Sequence, residues 1–355
     1  MRNPKLVISL CAVTLAIVPP TAAAGAQSVE RVALGGDEIA VYNLVGKMKV
    51  VGGSGSSVVV NVARGGKDAG QLRVEHGQRG GRETLRVIYP SRRITYADMN
   101  DWGRTTLRVA DDGTFGDGDE GWSGNRVEIS SRGGGLEARA DLTVEVPAGK
   151  RIDLHLAAGD VTVTNVSGDI FVDVNAADVT TTGTKGALSL DTGSGKVSVT
   201  DANGNVTLDT GSGSVSLSRI RGERLSVDAG SGRLTADDIQ VQSLNMDLGS
   251  GGARVMKLGA RDIKLDSGSG STELDLLSDI RMLDIDSGSG SVTLWIPTSF
   301  GARVDIDAGS GGIHMDVPVQ VTRWESDHLV GTIGDGEGTI KIDAGSGGVR
   351  FKKRP

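Results

Sequence analysis

Asp191-Thr192-Gly193-Ser194-Gly195 decides the fold, because the same order of Asp, any residue, Gly, Ser, Gly returns at Asp209, Asp228, Asp247, Asp266, Asp286, Asp307 and Asp343. Successive aspartates are 18, 19, 19, 19, 20, 21 and 36 residues apart, the last step being close to two periods. Around each copy aliphatic residues alternate in one phase: Leu188 and Leu190 precede the first, Val197 and Val199 follow it, and Val206, Leu208, Val215 and Leu217 repeat the arrangement. Alternation of period two bounded by Gly, Ser and Asp marks short strands joined by tight turns. A unit of ~19 residues cannot bury its apolar side alone and has to stack on its neighbours. The expected fold is all-β: a single-chain β-solenoid (β-helix or β-roll) of ~19-residue coils with two short strands per coil and undecided handedness.

Two sheets built this way face each other about 10 Å apart. That gap suits rungs such as Leu225, Val227, Ile263, Leu265, Leu283, Ile285, Val304 and Ile306, and it is expected to exclude large rings. The turn glycines (Gly193, Gly195, Gly211, Gly213, Gly230 and Gly232 in the first three copies) are read as residues that reach positive φ where the chain reverses, and each Asp as the acceptor for an amide two or three residues on. Stacking sets the carboxylates roughly 4.8 Å apart, a repulsion on the order of 0.9 kcal/mol per neighbouring pair in water before screening. A charge-assisted bond to a backbone amide, roughly 1.5 to 3 kcal/mol, offsets it without a metal. No cofactor is therefore expected. Calcium on the ladder is the alternative, although the glycine-rich calcium repeat of β-rolls sets its Asp after the glycines, not before them.

Residues 1–26 read as a secretory signal peptide: Arg2 and Lys5, an apolar run from Leu6 to Val18, then the small residues Ala24-Gly25-Ala26. The apolar run is too short for a retained spanning helix, so the mature chain is expected to be exported to the periplasm or beyond, with no membrane insertion. The single cysteine, Cys11, falls inside this segment, which leaves stability to burial and backbone ladders. Removing Arg2 and Lys5 takes the net charge from −7 to −9, which disfavours nucleic acid as a partner.

Residues 27–63 are expected to hold the first coil or a cap, with Gly53-Ser54-Gly55 as a degenerate turn. Residues 64–140 are an irregular β region. Eight Lys or Arg stand against three acids between Arg64 and Arg93, and Asp98 to Glu120 is strongly acidic. Strands such as Leu85 to Tyr89 and Leu107 to Val109 are expected to continue the solenoid, with aromatics covering its end. The competing reading makes Tyr96, Trp102, Phe115 and Trp122 an exposed contact surface for carbohydrate or protein. The run Asp111 to Glu120 is a second candidate for calcium, without EF-hand spacing. Residues 141–355 are the regular solenoid, whose last strand is expected to avoid end-to-end pairing through Lys352-Lys353-Arg354-Pro355.

Val144-Glu145-Val146-Pro147-Ala148-Gly149 leading into Gly159-Asp160-Val161-Thr162-Val163, the Gly-Ser-Gly repeats, and Gly331-Thr332-Ile333-Gly334 before the last coil resemble the bacterial adhesin-like domain of unknown function built from β-strand repeats. The resemblance covers most of residues 39–352. It implies an exported or envelope protein and no catalytic residues to carry over.

Tests for chemistry point the same way. Asp-Thr-Gly-Ser at Asp191 and Asp209 imitates an aspartic-protease turn, but eight stacked copies cannot meet across a pseudo-twofold. A solenoid lyase or glycosidase needs acids gathered in a groove. Asp284 and Asp305, expected on adjacent coils near Lys264, are the one candidate pair on an otherwise mixed, solvated face. His76, His155, His314 and His328 show no metal spacing. The expectation is an exported, non-enzymatic, adhesin-like structural or binding protein whose partner is a surface glycan or an envelope protein; a carbohydrate-active solenoid enzyme is the alternative.

Overall fold

The computed structural model describes residues 29–99, 103–116 and 124–354. The expected signal peptide, Trp102 and Trp122 lie outside these residues.

The alternation becomes two stacks of strands. Leu188–Ser194 pairs in parallel with Val206–Ser212 through Leu188↔Val206 and Asp191↔Asp209. Val197–Asn203 pairs in parallel with the first half of Val215–Ala229 through Val197↔Val215. The first of these pairs belongs to what we call the first sheet, the second to the second sheet. The same stacking runs from Lys150–Thr164 to Met282–Ser287 and Val292–Ile296. Inward side chains sit over one another: Leu190, Leu208, Val227, Met246, Leu265 and Ile285 form one continuous, buried column. Burying such a side chain is worth about 1.5 to 3 kcal/mol each, and no lone coil could achieve it.

Three details depart from the sequence reading. Lys150–Thr164, Gly168–Thr182, Val215–Ala229 and Leu234–Leu248 each run 15 residues and bend through a corner without losing the ladder, so strand ends do not always coincide with turns. In the second sheet the residue before each exit corner has a left-handed backbone at Asn165, Asp201, Arg219, Asp238 and Lys257. That kink throws the side chain outward, where Arg219 meets Asp201 on the preceding winding at 2.5 Å. Large rings are not excluded: Phe300 and Phe351 are buried. Phe351 stacks between Leu294 and the partly buried Met315, one rung from the end of the solenoid.

Sequence order and spatial order part company at both ends. The strand Glu38–Gly53 forms a whole winding, and its neighbours on the inner side are the two halves of Lys150–Thr164. The intervening winding, Arg82–Ile88 with Arg139–Pro147, lies outside it. At the other end, Gly338–Asp343 and Val349–Lys353 insert between the windings of residues 282–296 and 302–315. The last strand in sequence is therefore an interior strand, and the terminal charges do not guard a sheet edge. The 36-residue step arises because the Gln320–Trp324 and His328–Ile333 hairpin closes the first sheet before the chain re-enters.

The irregular region divides in two. Arg82–Ile88 continues the first sheet, as expected, and Arg73–Arg79 closes it antiparallel. Arg93–Thr95, Arg104–Val109 and Asn125–Ser130 instead form a separate three-stranded sheet. Its apolar side, with Ile94, Val127 and Ile129, packs on Ala40, Tyr42, Leu44 and Ala157, the outward residues of the first two windings. The Leu107 to Val109 stretch thus covers a flank of the solenoid and does not extend it. The boundaries expected at 63 and 141 fall inside the strands Val58–Gly65 and Arg139–Pro147.

Candidate functional site

The eight corner aspartates align in one row along the edge of the first sheet. Asp191, Asp209, Asp228, Asp247, Asp266 and Asp286 are consecutive register partners, followed by Asp343 and then Asp307. Asp173 precedes Asp191 and makes a ninth member. The intercalated last winding is what keeps the row unbroken.

The row is less neutralised than the sequence reading supposed. Asp307 and Asp343 accept the expected bond from the amide two residues on, Gly309 N–H at 3.3 Å and Gly345 N–H at 3.2 Å. At the central corners those amides are committed to the winding before: Gly230 N donates to Thr210 O at 2.9 Å, Gly249 N to Ala229 O at 3.0 Å, and Gly268 N to Leu248 O at 2.9 Å. Among the described residues the exposed carboxylates from Asp209 to Asp286 therefore have no hydrogen-bonded or ionic partner. Burial, with Asp173 and Asp209 on either side, raises the Asp191 carboxyl above its ordinary range.

The corner glycines also serve a second purpose. Gly195 and Gly213 do have positive φ, at 133° and 141°. Gly232 and Gly251 are required by proximity instead: a Cβ on Gly251 would lie 1.8 Å from Gly232 O, and one on Gly232 only 1.3 Å from Gly213 O. Gly193, Gly211 and Gly230 meet the preceding winding's carbonyl in the same way. The residue after each Asp points inward and is small or aliphatic. Ser267 and Ser287 donate there to Gly270 O and Gly290 O at 3.1 and 2.9 Å, tying the corner from inside.

Beyond Asp173 the row continues into a buried network that periodicity gives no hint of. The register partners are His155, Tyr42 and Arg86. His155 is fully buried, stacks on Tyr42 at 4.3 Å between ring centroids, and sets Nδ1 3.2 Å from Asp173 Oδ2. Arg82 binds Asp153 at 2.5 Å and donates to the Tyr42 hydroxyl at 2.7 Å. Phe115 meets both rings edge-on, and the backbone at Gly116 lies against the Asp173 carboxylate. A His beside an Asp has the parts of an acid–base pair, but a fully covered imidazole cannot reach a substrate; the group pins the small sheet to the flank. Asp153 and His155 occupy ordinary outward phase in the sequence. Tertiary contacts distinguish them: Arg82, 71 residues away, for Asp153, and Tyr42 for His155.

Of the four residues in the competing aromatic surface, the two that are described are not exposed. Tyr96 and Phe115 are buried in the contact between the small sheet and the solenoid, 4% and 8% exposed. Burial, then nearby Asp98 and Asp141, raises the Tyr96 phenol well above its usual value. The packing logic is simple: Ala40 and Leu44 on the outer side of the first winding need an apolar cover, and these rings supply it. The run Asp111 to Glu120 is described only as far as Gly116, and Asp112 there binds Thr114 N–H and hydroxyl. Among the described residues no group of three or more His, Cys, Asp or Glu is arranged to hold a metal ion.

The candidate acid pair is also separated. Lys264 partners Asp284, Asp284 partners Lys341, and Lys341 partners Asp305. The out-of-order winding puts a lysine between the two carboxylates and makes the row alternate in sign. A shallow recess of about 450 Å³ beside the small sheet carries Asp98, Asp160 and Asp178, but Asp160 is half exposed near Lys47 and Asp178 accepts the Lys196 amide at 2.7 Å.

These structural motifs match a known family over residues 126–352, the Toastrack DUF4097 model. The chain belongs to the Toastrack DUF4097 family. The Toastrack match spans the regular windings and the interleaved C-terminal end. A solved structure described as that of a "putative cell adhesion protein" from Clostridium sporogenes is similar at 11% identity, covering 92% of this chain and all of the other; its TM-score of 0.21 is too low to support an argument. No curated protein matches the chain.

Proposed function

We propose that this Toastrack protein is an exported, non-enzymatic, adhesin-like structural or binding protein of the bacterial envelope or extracellular space. The observation behind this reading is the row of eight exposed corner aspartates from Asp191 to Asp307, a repetitive, solvent-facing array suited to many weak contacts with a surface glycan or an envelope protein. The alternation of Lys264, Asp284, Lys341 and Asp305 supports the same reading over the enzyme alternative, since it takes away the paired acids that glycoside chemistry needs. Export rests on the sequence of residues 1–26.

Glycan-array binding and polysaccharide turnover, measured on the same purified mature protein, test the proposal. The expected result is binding that weakens when Asp209, Asp228 and Asp247 are changed to Asn, with no turnover. Polysaccharide cleavage would overturn the non-enzymatic reading, and a cytoplasmic chain retaining residues 1–26 would overturn export.

A further inference from the structure

The two ends of the solenoid differ in a way that the regular windings do not. At the C-terminal end, Ile313, Met315, Val317, Val319 and Val321 recur at every second position, and the first four are only partly buried against the core. Val321 is 49% exposed and Trp324 57%. The strand Gln320–Trp324 carries both and is exposed throughout, with Thr322 and Arg323 between them. Among the described residues it is hydrogen-bonded on one side only, to His328–Ile333, so its outer edge offers free backbone donors and acceptors. At the N-terminal end the corresponding edge of the first sheet is Arg73–Arg79, paired only with Arg82–Ile88. The second sheet ends there in Val29–Leu34, whose Val29 is 58% exposed. Three of the four large apolar side chains exposed among the described residues thus sit on end strands, the fourth being Met282.

We propose that these two ends bind each other between copies, so that the protein assembles head to tail through its terminal strands. Charge favours this pairing over two like ends. Residues 64–93 hold eight Lys or Arg and three acids, a positive surplus that Glu30, Glu137, Asp153 and Asp112 reduce by pairing with Arg64, Lys67, Arg82 and Arg86, whereas residues 313–337 hold five acids and one Arg. Two C-terminal ends would repel each other, and a C-terminal end against an N-terminal end attracts. Strand direction agrees. Arg73–Arg79 runs against the direction of the first-sheet windings, because it is antiparallel to a strand parallel to them. Gln320–Trp324 runs with them, being antiparallel to a strand that is itself antiparallel to Ala302–Asp307. Copies stacked without reversal therefore bring the two edges together as an antiparallel pair, and Val321 and Trp324 leave solvent at the junction. A contact between two different surfaces repeats without closing and gives a chain of copies.

The test uses the mature full-length protein and two variants, with mass measured by sedimentation over a hundredfold concentration range at low salt. Val321→Lys with Trp324→Lys blocks the C-terminal end; Arg73→Glu with Arg79→Glu reverses charge at the N-terminal end. All four residues are exposed, and circular dichroism and melting check that each variant folds. The wild type is expected to form a concentration-dependent series of oligomers that shortens as salt rises. Each variant alone should stay monomeric, and an equimolar mixture should stop at the heterodimer, because only one complementary pair of ends remains. Assembly by the Arg73→Glu, Arg79→Glu variant alone would show a symmetrical contact between C-terminal ends and overturn the proposal, as would a wild type that is monomeric at every concentration. Because the readout is mass alone, failure here leaves the glycan and export tests untouched.

Discussion

Replacing Gly251 by Ala tests the close stacking of corners directly. The added Cβ would stand 1.8 Å from Gly232 O, whereas real contacts of this kind stay beyond ~3 Å, so the two windings have to part locally by about a quarter of the ~4.8 Å strand spacing. Two ladder bonds span that seam: Gly249 N–H to Ala229 O at 3.0 Å and Ser250 N–H to Gly230 O at 2.9 Å. An extra ångström takes both past hydrogen-bonding range. Each is worth about 0.5 to 1.5 kcal/mol net, and overpacking adds roughly 1 to 3 kcal/mol. The expected loss is about 2 to 5 kcal/mol in urea unfolding, with Ser250→Ala, at an exposed site in the same corner, changing stability by less than about 0.5 kcal/mol. Equal stability of Gly251→Ala and the wild type would mean that the windings do not approach as described and that glycine serves the corner only through backbone freedom.

Leu265→Asp places an unpaired charge in the column between Met246 and Ile285 and is expected to cost several kcal/mol, on the order of 3 to 5; thermal melting at wild-type temperature would remove Leu265 from the core. Tyr89→Phe deletes the hydroxyl donated to Asn43 Oδ1 at 2.8 Å and Val45 O at 2.9 Å, and leaves buried Asn43 short of a donor. A loss of about 1 to 3 kcal/mol is expected, and a neutral result in denaturant titration would contradict that geometry. For Asp191 the folded carboxyl holds its proton to higher pH than the unfolded one, so ionisation costs stability above that range and costs nothing below about pH 4. Asp191→Asn should therefore melt higher than wild type at pH 7 and the same near pH 3; a lower melting point at pH 7 would show that the carboxylate is stabilising. Chelator is expected to leave the melting temperature unchanged, and a large drop would reveal a calcium ion on the ladder or on residues 111–120.

Much of the architecture was legible because the β-solenoid turns a one-dimensional period into a three-dimensional stack. Leu190, Leu208 and Val227 announce their column by spacing alone, and so do the aspartates that stand beside them. Spacing also carries chemical meaning where the period is constant, which is why the corner residues were found and the network around His155 was not. Asp153, His155 and Tyr42 obey the same in-and-out rule as their neighbours, and Arg82 and Phe115, which meet them, come from a segment outside the repeat. Aromatic cover was expected at the end of the solenoid, and Tyr96 and Phe115 cover its flank instead, for a related reason. Sequence places Tyr96 and Phe115 in a polar stretch, but the first windings carry Ala40 and Leu44 on their outer side, and apolar surface there has to be covered.

By itself, then, the sequence determined the winding, the rungs and the corner ladder, since each depends on residues one period apart. Only the tertiary structure decided the order of the end windings, the lysine between Asp284 and Asp305, and the cover over the first flank. A strand's apolar phase states which side faces the core, but every end winding has much the same phase. Which one stacks outermost depends on hairpins and loops that bring together segments tens of residues apart.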